Sequence, residues 1–431
     1  MKIIYNLQGY DFLTDDTSSL EEGVLFLKTE QNSKYFDTLE IEPKYITPSE
    51  LMTLWGLSSM KVVGVTGTNG KTTVTAAIYS FLLDLNEQPA LQGTRGLFAK
   101  EERLEEKSMT TPSILETLYN MKKTFDLGCN YFIMEVSSHA IHQKRIEGLK
   151  FALKVHTNVT SDHLDYHGTV EEYRRVKSLF FADDTPKLLN KDDITKITYN
   201  PKNAQSYGVD EPATFKVQAF SLLHGITAGI KHMQTEATFY SPMVGLFNLF
   251  NLMAAIGAVQ MLTKRPIEDI CEVVENFAGV SGRMEVVSRE PLVIVDFAHT
   301  QDGILAVLES MKDRDLSVVF GAGGNRDKAK RPSMGAAAGR YANKIYVTSD
   351  NPRDEVPEQI LEEILVGLRG KENVTACPDR RVAIKLALEA LEPNEVLLIL
   401  GKGDEDYQEI KGVKHPFDDR VVVRELLKIH G

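Results

Sequence analysis

Along the chain, short runs of β-branched and aliphatic residues alternate with segments whose apolar positions recur every three to four residues. The runs are KVVGVTG (61–67), YFIMEVSS (131–138), ALKVHTNV (152–159), LVIVDFAH (292–299), LSVVFGAGG (316–324), KIYVTSDN (344–351) and VLLILGKG (396–403). Continuous apolar runs of this length read as strands covered on both faces, hence as strands of parallel sheets. Between them, Ile78, Phe81, Leu82 and Leu85 follow the i, i+3, i+4, i+7 spacing of a buried helical stripe, and Ile360, Ile364, Leu365 and Leu368 form a similar one. The alternation predicts an α/β protein.

The runs fall into two groups, 61–190 and 292–430, and the stretch between them has a different period. Residues 213–241 alternate apolar and polar positions, which predicts antiparallel strands added to the first sheet. Leu249 to Leu262 and Ile267 to Phe277 then read as helices separated by Pro266, and Gly279 and Gly282 bracket a linker into the last group. Ahead of Lys61 stands a smaller unit with a strand at VLFLK (24–28). At roughly 150 residues per domain, 431 residues suit three domains, expected at 1–57, 58–281 and 282–431.

Composition narrows the chemistry. Lys and Arg number 49 against 61 Asp and Glu, a formal net charge of −12. That excludes a globally basic surface for nucleic acid, and an anionic ligand must find a locally positive pocket. Charged residues at 26% beside 42% hydrophobic residues belong to a globular chain. Cys129, Cys271 and Cys377 form no CxxC pair, and their odd number and wide spacing suit reduced thiols over a zinc site or a disulfide framework. The N-terminus carries no signal-like apolar stretch. Apolar runs such as VLLIL (396–400) fall far short of the roughly 20 residues that span a bilayer. The expectation is a cytoplasmic monomer acting on small molecules, with no nucleic-acid partner and no membrane insertion.

Nearly every predicted strand ends in a polar cluster, the place where open α/β sheets bind ligands. Both groups share this feature, which points to a cleft between two domains. The first cluster is GVTGTNGKTT, Gly64 to Thr73, between a strand and a helix. Gly67 and Gly70 allow backbone N–H groups to close around a phosphate at the helix N-terminus. Lys71 can reach β- and γ-phosphates, and the Thr72 hydroxyl can ligate Mg²⁺. Val65 stands where the standard P-loop has its first glycine, so the spacing is a variant. Glu135 ends an apolar run, where a carboxylate is expensive unless paired or metal-bound. SDHLDYHG (161–168) places Asp162, His163, Asp165 and His167 after the third strand. These donors suit Mg²⁺ and equally a polar turn with a capping Asp. Lys177 lies in the helical segment EEYRRVKSLFF, whose ordinary reading is a solvated basic face. In the last group, Asp296 and His299 end a strand, and Arg326, Lys328, Lys330 and Arg331 in GAGGNRDKAKRP (321–332) suit anion binding. DNPR (350–353) and GKGDEDYQ (401–408) close two further strands.

In their order, TGTNGKTT, MEVSSH, DHLDYHG, FN..N, GRMEVV, VDFAHT, GGNRDKAKRP, DNPR and GKGDEDYQ resemble the Mur ligases from about Lys61 to the C-terminus. These are the ATP-dependent amide-bond-forming enzymes of peptidoglycan precursor synthesis. The resemblance is strongest to the members that join meso-diaminopimelate to the D-glutamate of UDP-N-acetylmuramoyl-L-alanyl-D-glutamate through an acyl phosphate. It implies the three-domain Mur ligase architecture: an N-terminal UDP-binding unit, a P-loop ATPase central domain and a Rossmann-like C-terminal amino-acid domain. ATP and Mg²⁺ are the implied cofactors.

Carried over by position, Gly67, Thr68, Asn69, Gly70, Lys71, Thr72 and Thr73 would bind ATP phosphates, and Asn251, Arg283 and Asp296 the rest of the nucleotide. Thr72, Glu135 and His163 match magnesium ligands, and Lys177 falls at the family's carbamylated lysine, which supports a second metal. Lys71, Lys177, Glu135 and His163 are thus the implied catalytic set. Thr110, Thr111, Ser137, Gln143 and Arg145 match the muramoyl-dipeptide site. Arg326, Asp350, Asn351, Pro352, Arg353, Gly401 and Glu405 match the diaminopimelate site, with Arg353 expected on the distal carboxylate. Three departures stand out. Asp16, Thr17 and Ser18 replace the family's Asp-Ser-Arg in a shortened first domain, Gln301 replaces a Pro, and Asp404 replaces a common His. Folylpolyglutamate synthases and lysine-adding Mur ligases share the P-loop, whereas a P-loop switch protein would leave Glu135, His163 and Lys177 without a role.

Overall fold

The structure is a computed structural model and describes residues 2–7, 9–39, 43–106, 109–160 and 162–428. Of the 161–168 motif, Ser161 and the Asp165 side chain lie outside the described residues. The chain divides into two compact units. One comprises Met1–Phe220, Ala228–Phe239 and Phe250–Phe277, the other Ser221–Thr227, Tyr240–Leu249 and Ala278–Gly431.

An eleven-stranded sheet organises the first unit. At its centre Lys61–Thr66 lies between Phe151–His156 and Tyr131–Glu135, parallel to both. Lys187–Asn190 and Pro89–Gly93 continue the parallel core on either side. Val62, Val63, Val65, Phe132, Ile133 and Val155 are fully buried, as unbroken apolar runs in a doubly covered sheet require. Gly96–Ala99 and Glu102–Glu105 extend one edge antiparallel. At the other edge Ala204–Gly208 is followed by Phe215–Ser221, Ile226–His232 and Thr235–Ser241, so the alternating stretch does join the first sheet, but through a strand parallel to its neighbour and not antiparallel to it.

Helix Lys71–Asp84 buries the stripe of Ile78, Phe81 and Leu82. Helix Leu246–Thr263 is, among the described residues, the one helix long and apolar enough to cross a membrane, and 67% of it is buried inside the protein. A Cβ on its Gly257 would stand 2.9 Å from Leu188 Cδ2, so the helix backbone lies directly on the sheet. Four short strands, Lys2–Leu7, Tyr10–Thr14, Val24–Leu27 and Tyr45–Ile46, form their own sheet. Its Ile3, Leu13, Leu25 and Leu27 share one apolar cluster with Trp55, Phe132 and Met134, which explains why the segment before Lys61 merges with the first unit. Asp16 caps a turn there by accepting bonds from Ser18 N (2.9 Å) and Ser18 Oγ (2.8 Å).

The second unit holds a six-stranded sheet in the order Glu285–Arg289, Leu292–Asp296, Val396–Leu400, Leu316–Phe320, Lys344–Val347, Val374–Ala376. All neighbours are parallel except the first pair. Successive side chains of a strand point to opposite faces. Ile294, Val318, Ile345 and Leu398 accordingly enter one core, and Val293, Val295, Val319 and Leu397 the other. Gln301 opens the helix Gln301–Glu309 behind the N-cap Thr300. That first helical position suits Pro because its N–H has no intrahelical partner, so a Gln there loses only preorganisation.

Candidate active site

The Lys61–Thr66 strand delivers the chain into loop 67–70 and then into the N-terminus of the helix at Lys71. Gly70 has φ 85°, a left-handed conformation that favours glycine, and a Cβ on Gly67 would collide with Thr157 Oγ1. The loop is clasped from the neighbouring strand end. Thr157 Oγ1 donates to Asn69 O (2.6 Å), Asn69 N donates to Asn158 Oδ1 (2.9 Å), and Thr68 N donates to Asn158 O (2.8 Å). Lys71 Nζ lies over the loop, donating to Gly67 O (2.8 Å) and Thr68 O (2.9 Å). Thr73 is buried in the first turn, and buried Asn251 presents its side chain against Gly70. A glycine loop at a helix N-terminus with a lysine above it has the chemistry of a phosphate cradle.

Glu135 is 2% exposed and holds two structures together. Its carboxylate accepts bonds from Thr72 Oγ1 (3.0 Å), Thr94 N (2.9 Å) and Thr94 Oγ1 (3.4 Å). Its main-chain oxygen accepts Thr111 Oγ1 (2.9 Å), which in turn accepts Ser137 N (3.0 Å). Thr94 Oγ1 lies 3.1 Å from Thr110 Oγ1. Ser137 caps the helix Ser138–His142. Beyond it, Arg145 donates to Thr111 O (2.9 Å) and, through Nε and Nη2, to Gln143 Oε1 (2.9 and 2.6 Å). Thr110, Thr111, Ser137, Gln143 and Arg145 therefore form one bonded arm that starts at Glu135.

The Thr72 hydroxyl and the Glu135 carboxylate bring two hard oxygens to the edge of the phosphate loop. That set fits Mg²⁺, which takes one or two carboxylates and fills its octahedron with phosphate oxygens and water. Among the described residues no group of three or more His, Cys, Asp and Glu gathers around a metal position.

Lys177 is 1% exposed, not part of a solvated basic face. Its Nζ donates to Gly67 O (2.9 Å) and Thr66 Oγ1 (3.4 Å) and lies 5.0 Å from the Tyr173 ring centre. Burial, and then the Lys71 charge, push its pKa well below the ordinary lysine range. His163 has φ 53° and is largely exposed, with Nε2 3.4 Å from Asp162 Oδ2. Its ring lies 4.9 Å from His139 and 6.5 Å from Tyr173, so Tyr173 neighbours both His163 and Lys177. His139, His142 and His167 surround Tyr166, whose hydroxyl accepts a bond from Gln143 Nε2 (3.0 Å). Burial, then the neighbouring imidazoles, bring His167 down to about 4.

In the second unit, the buried Asp296 carboxylate accepts Met284 N (2.8 Å) and Ala298 N (2.7 Å). Burial raises its pKa, and the Arg283 charge opposes that. Arg283 stacks 4.5 Å over the Phe297 ring. The acceptor residues form a separate network. Asn351 Nδ2 and Lys402 Nζ both donate to Glu405 Oε2 (2.9 Å each), and Lys402 also reaches Asn351 Oδ1 (3.3 Å). Asp350 O accepts Gln408 Nε2 (2.8 Å), and a Cβ on Gly401, at φ 114°, would press on Asp350 Oδ2. A Cβ on Gly324 would collide with Pro352 O, so this turn needs that glycine. Arg326 is exposed, and its Cγ and Arg353 Nη1 flank Gly323.

Two further sets of bonds hold this region. Arg331 is 1% exposed and bound to Glu355 and Glu363 at 2.9 and 2.7 Å, and Lys328 pairs with Glu355 at 3.1 Å. Those two cations brace the basic loop, and the Arg331 bond holds Glu355 down at about 2. Arg353, expected on the distal carboxylate, is held from two sides. Its Nε donates to Glu409 Oε2 (3.2 Å) and its Nη1 to Gly324 O (2.8 Å). Thr94, Thr157, Asn158, Tyr166, Lys402 and Glu409 were not singled out from sequence. Only Lys402 had a visible signal, a lysine between two glycines directly after a fully buried strand.

The Mur ligase middle domain matches residues 65–259, and the Mur ligase, glutamate ligase domain matches residues 282–403. The UDP-N-acetylmuramoyl-L-alanyl-D-glutamate–2,6-diaminopimelate ligase of Wolinella succinogenes is 48% identical over 98% of this chain and 98% of its own. Its counterpart from Helicobacter hepaticus is 48% identical over 98% and 97%. A solved structure of such a ligase matches with a TM-score of 0.69 at 30% identity, covering 96% of this chain and 94% of that one. Mycobacterium tuberculosis folylpolyglutamate synthase, complexed with ADP and AMPPCP, matches at 0.64 with 17% identity over 82% and 91%, a likeness of fold alone. The α/β architecture is that of the Mur ligases, and this chain belongs to the Mur ligase family.

Proposed function

We propose that this chain is an ATP-dependent ligase that joins meso-diaminopimelate to the D-glutamate of UDP-N-acetylmuramoyl-L-alanyl-D-glutamate, releasing ADP and phosphate in peptidoglycan precursor synthesis. Relatives 48% identical over nearly the whole chain carry that activity in their names. The observation that carries the reading is the double use of Glu135. Its carboxylate is tied to the phosphate loop through Thr72, and its carbonyl to the Thr111–Ser137–Arg145 arm. Such a junction suits transfer of a phosphoryl group to a carboxylate held on that arm.

In the first step a D-glutamate carboxylate oxygen attacks the γ-phosphorus, the bond to the bridging oxygen breaks, and ADP leaves. An amine of the acceptor then attacks the acyl carbon, loses its proton and expels phosphate as the amide forms. The first step brings two anions together, so fixed positive charge sets its rate. Lys71 and the loop amides supply that charge to the phosphates, while Arg145 orients the substrate's carboxylate end. Thr72 and Glu135 would hold Mg²⁺, with His163 and a carbamylated Lys177 serving a second ion; bound there, Mg²⁺ neutralises phosphate charge. Asn251, Arg283 and Asp296 serve the nucleotide, and the DNPR and GKG loops the acceptor. Domains at 1–57, 58–281 and 282–431, and a cytoplasmic monomer, belong to the same reading.

The test is phosphate release with the UDP-linked dipeptide against a panel of amino acids. Release should require both the nucleotide substrate and meso-diaminopimelate. Turnover of ATP without an amino acid, or equal rates with lysine, would overturn the assignment.

A further inference from the structure

We infer that Glu409 is a specificity-determining residue of the acceptor site: with Arg353 it forms a charge pair that reads the ammonium and the carboxylate carried by one carbon at the acceptor's distal end. The inference rests on the acceptor proposed above. The two side chains leave adjoining backbone. Arg353 N donates to Glu409 O (3.0 Å), Lys411 N donates to Arg353 O (2.8 Å), and Arg353 bridges to Ile410. Arg353 is held at φ 49°, and its Nη1 bond to Gly324 O fixes the guanidinium plane. Glu409 meets the Nε edge of that plane at 3.2 Å, and the pair keeps 22% and 26% side-chain exposure, within reach of a ligand.

One neighbouring carboxylate is already paired. Glu405 is neutralised by Lys402, which is fully buried and also bound to Asn351. The Arg353–Glu409 pair is an accessible dipole beside the expected acceptor residues, with both of its charges partly exposed. An amino-acid head presents the matching dipole, its carboxylate to the guanidinium and its ammonium to the carboxylate. Charge-assisted bonds of this kind are the strong ones.

This pairing changes the logic of selection. Arg353 already has an internal carboxylate, so a lysine acceptor does not strand it. A bare distal carboxylate, conversely, must compete with Glu409 for the guanidinium and then faces an anion. Only a head with both charges satisfies both residues. The geometry thus rewards the complete head group over either half of it.

Three acceptors separate the parts: meso-diaminopimelate, lysine with the ammonium alone, and 2-aminopimelate with the carboxylate alone. Glu409→Gln keeps the side-chain size and both main-chain bonds, and its melting temperature reports on folding. With meso-diaminopimelate, KM should rise about tenfold with kcat within about twofold, the loss expected for one charge-assisted bond. With 2-aminopimelate, KM should stay the same or fall. An unchanged KM for meso-diaminopimelate, or an equal rise for both acceptors, would overturn the role of Glu409. A wild-type enzyme inactive with meso-diaminopimelate would instead strike the functional reading itself.

Discussion

At the residue scale, Lys177 is the clearest case of a side chain whose surroundings decide its chemistry. Its amine is buried against Gly67 O and Thr66 Oγ1, with the Lys71 charge nearby. Both burial and a like charge disfavour an ammonium, and the free lone pair of a neutral amine attacks CO₂. Carbamylation would form a C–N bond, release a proton to solvent and turn the amine into an anionic carbamate able to attract Mg²⁺. Intact-mass measurement under bicarbonate should show the added CO₂, and Lys177→Ala should lose turnover and regain part of it with short-chain carboxylates. A fully active enzyme with an unmodified lysine would refute this. The reading of this segment as a solvated basic face misses a stripe that the sequence does carry: Tyr173, Val176, Lys177 and Phe180 fall at i, i+3, i+4, i+7, and all four are buried. The Arg353–Glu409 pair was not legible, because 56 residues separate the partners and only the fold joins them.

At the scale of elements, the seven apolar runs became seven central strands because doubly covered strands must be apolar throughout. Short edge strands escaped notice. VKHP (413–416) faces water and ERLE (102–105) does so in part, and neither carries a hydrophobic period, so their pairing partners make them strands. The loops at the ends of central strands are in turn fixed from behind. Arg380 and Asp419 are both fully buried, joined at 2.7 Å through Nε–Oδ1 and Nη2–Oδ2. The same guanidinium donates to Ser349 O (3.2 Å) and Leu400 O (3.0 Å), the residues leading into DNPR and GKGDEDYQ. Removing one partner of a buried pair leaves an uncompensated charge, typically about 3–5 kcal/mol of stability. Asp419→Ala should lower the denaturant midpoint accordingly and raise KM for the acceptor more than KM for ATP. A surface-like loss below about 1 kcal/mol would mean that the pair does not anchor these loops.

At the scale of the whole molecule, each unit closes its own cores. Phe132, Met134 and Val176 belong to a cluster of the first unit, whereas Ile294, Val318 and Leu398, and Val293, Val319 and Leu397, line the two faces of the second unit's sheet. The residues assigned to the ATP phosphates all lie in the first unit and those assigned to the acceptor in the second. On this assignment a −12 chain would carry its phosphate-binding cations on one unit and its acceptor-binding cations on the other. Lesions in one set should then spare binding at the other. Lys71→Ala should weaken nucleotide binding and cut phosphate release by roughly 10²–10³-fold, while leaving the affinity for meso-diaminopimelate near wild type. Arg353→Ala should do the reverse, keeping nucleotide affinity while losing most acceptor affinity, since truncating a buried-edge charge contact removes about 1.5–3 kcal/mol. Calorimetric titration of each variant with each ligand separates the two. If Arg353→Ala weakened nucleotide binding as much as acceptor binding, the two sites would be coupled in the resting enzyme, and the partition between units would not describe how ligands are held.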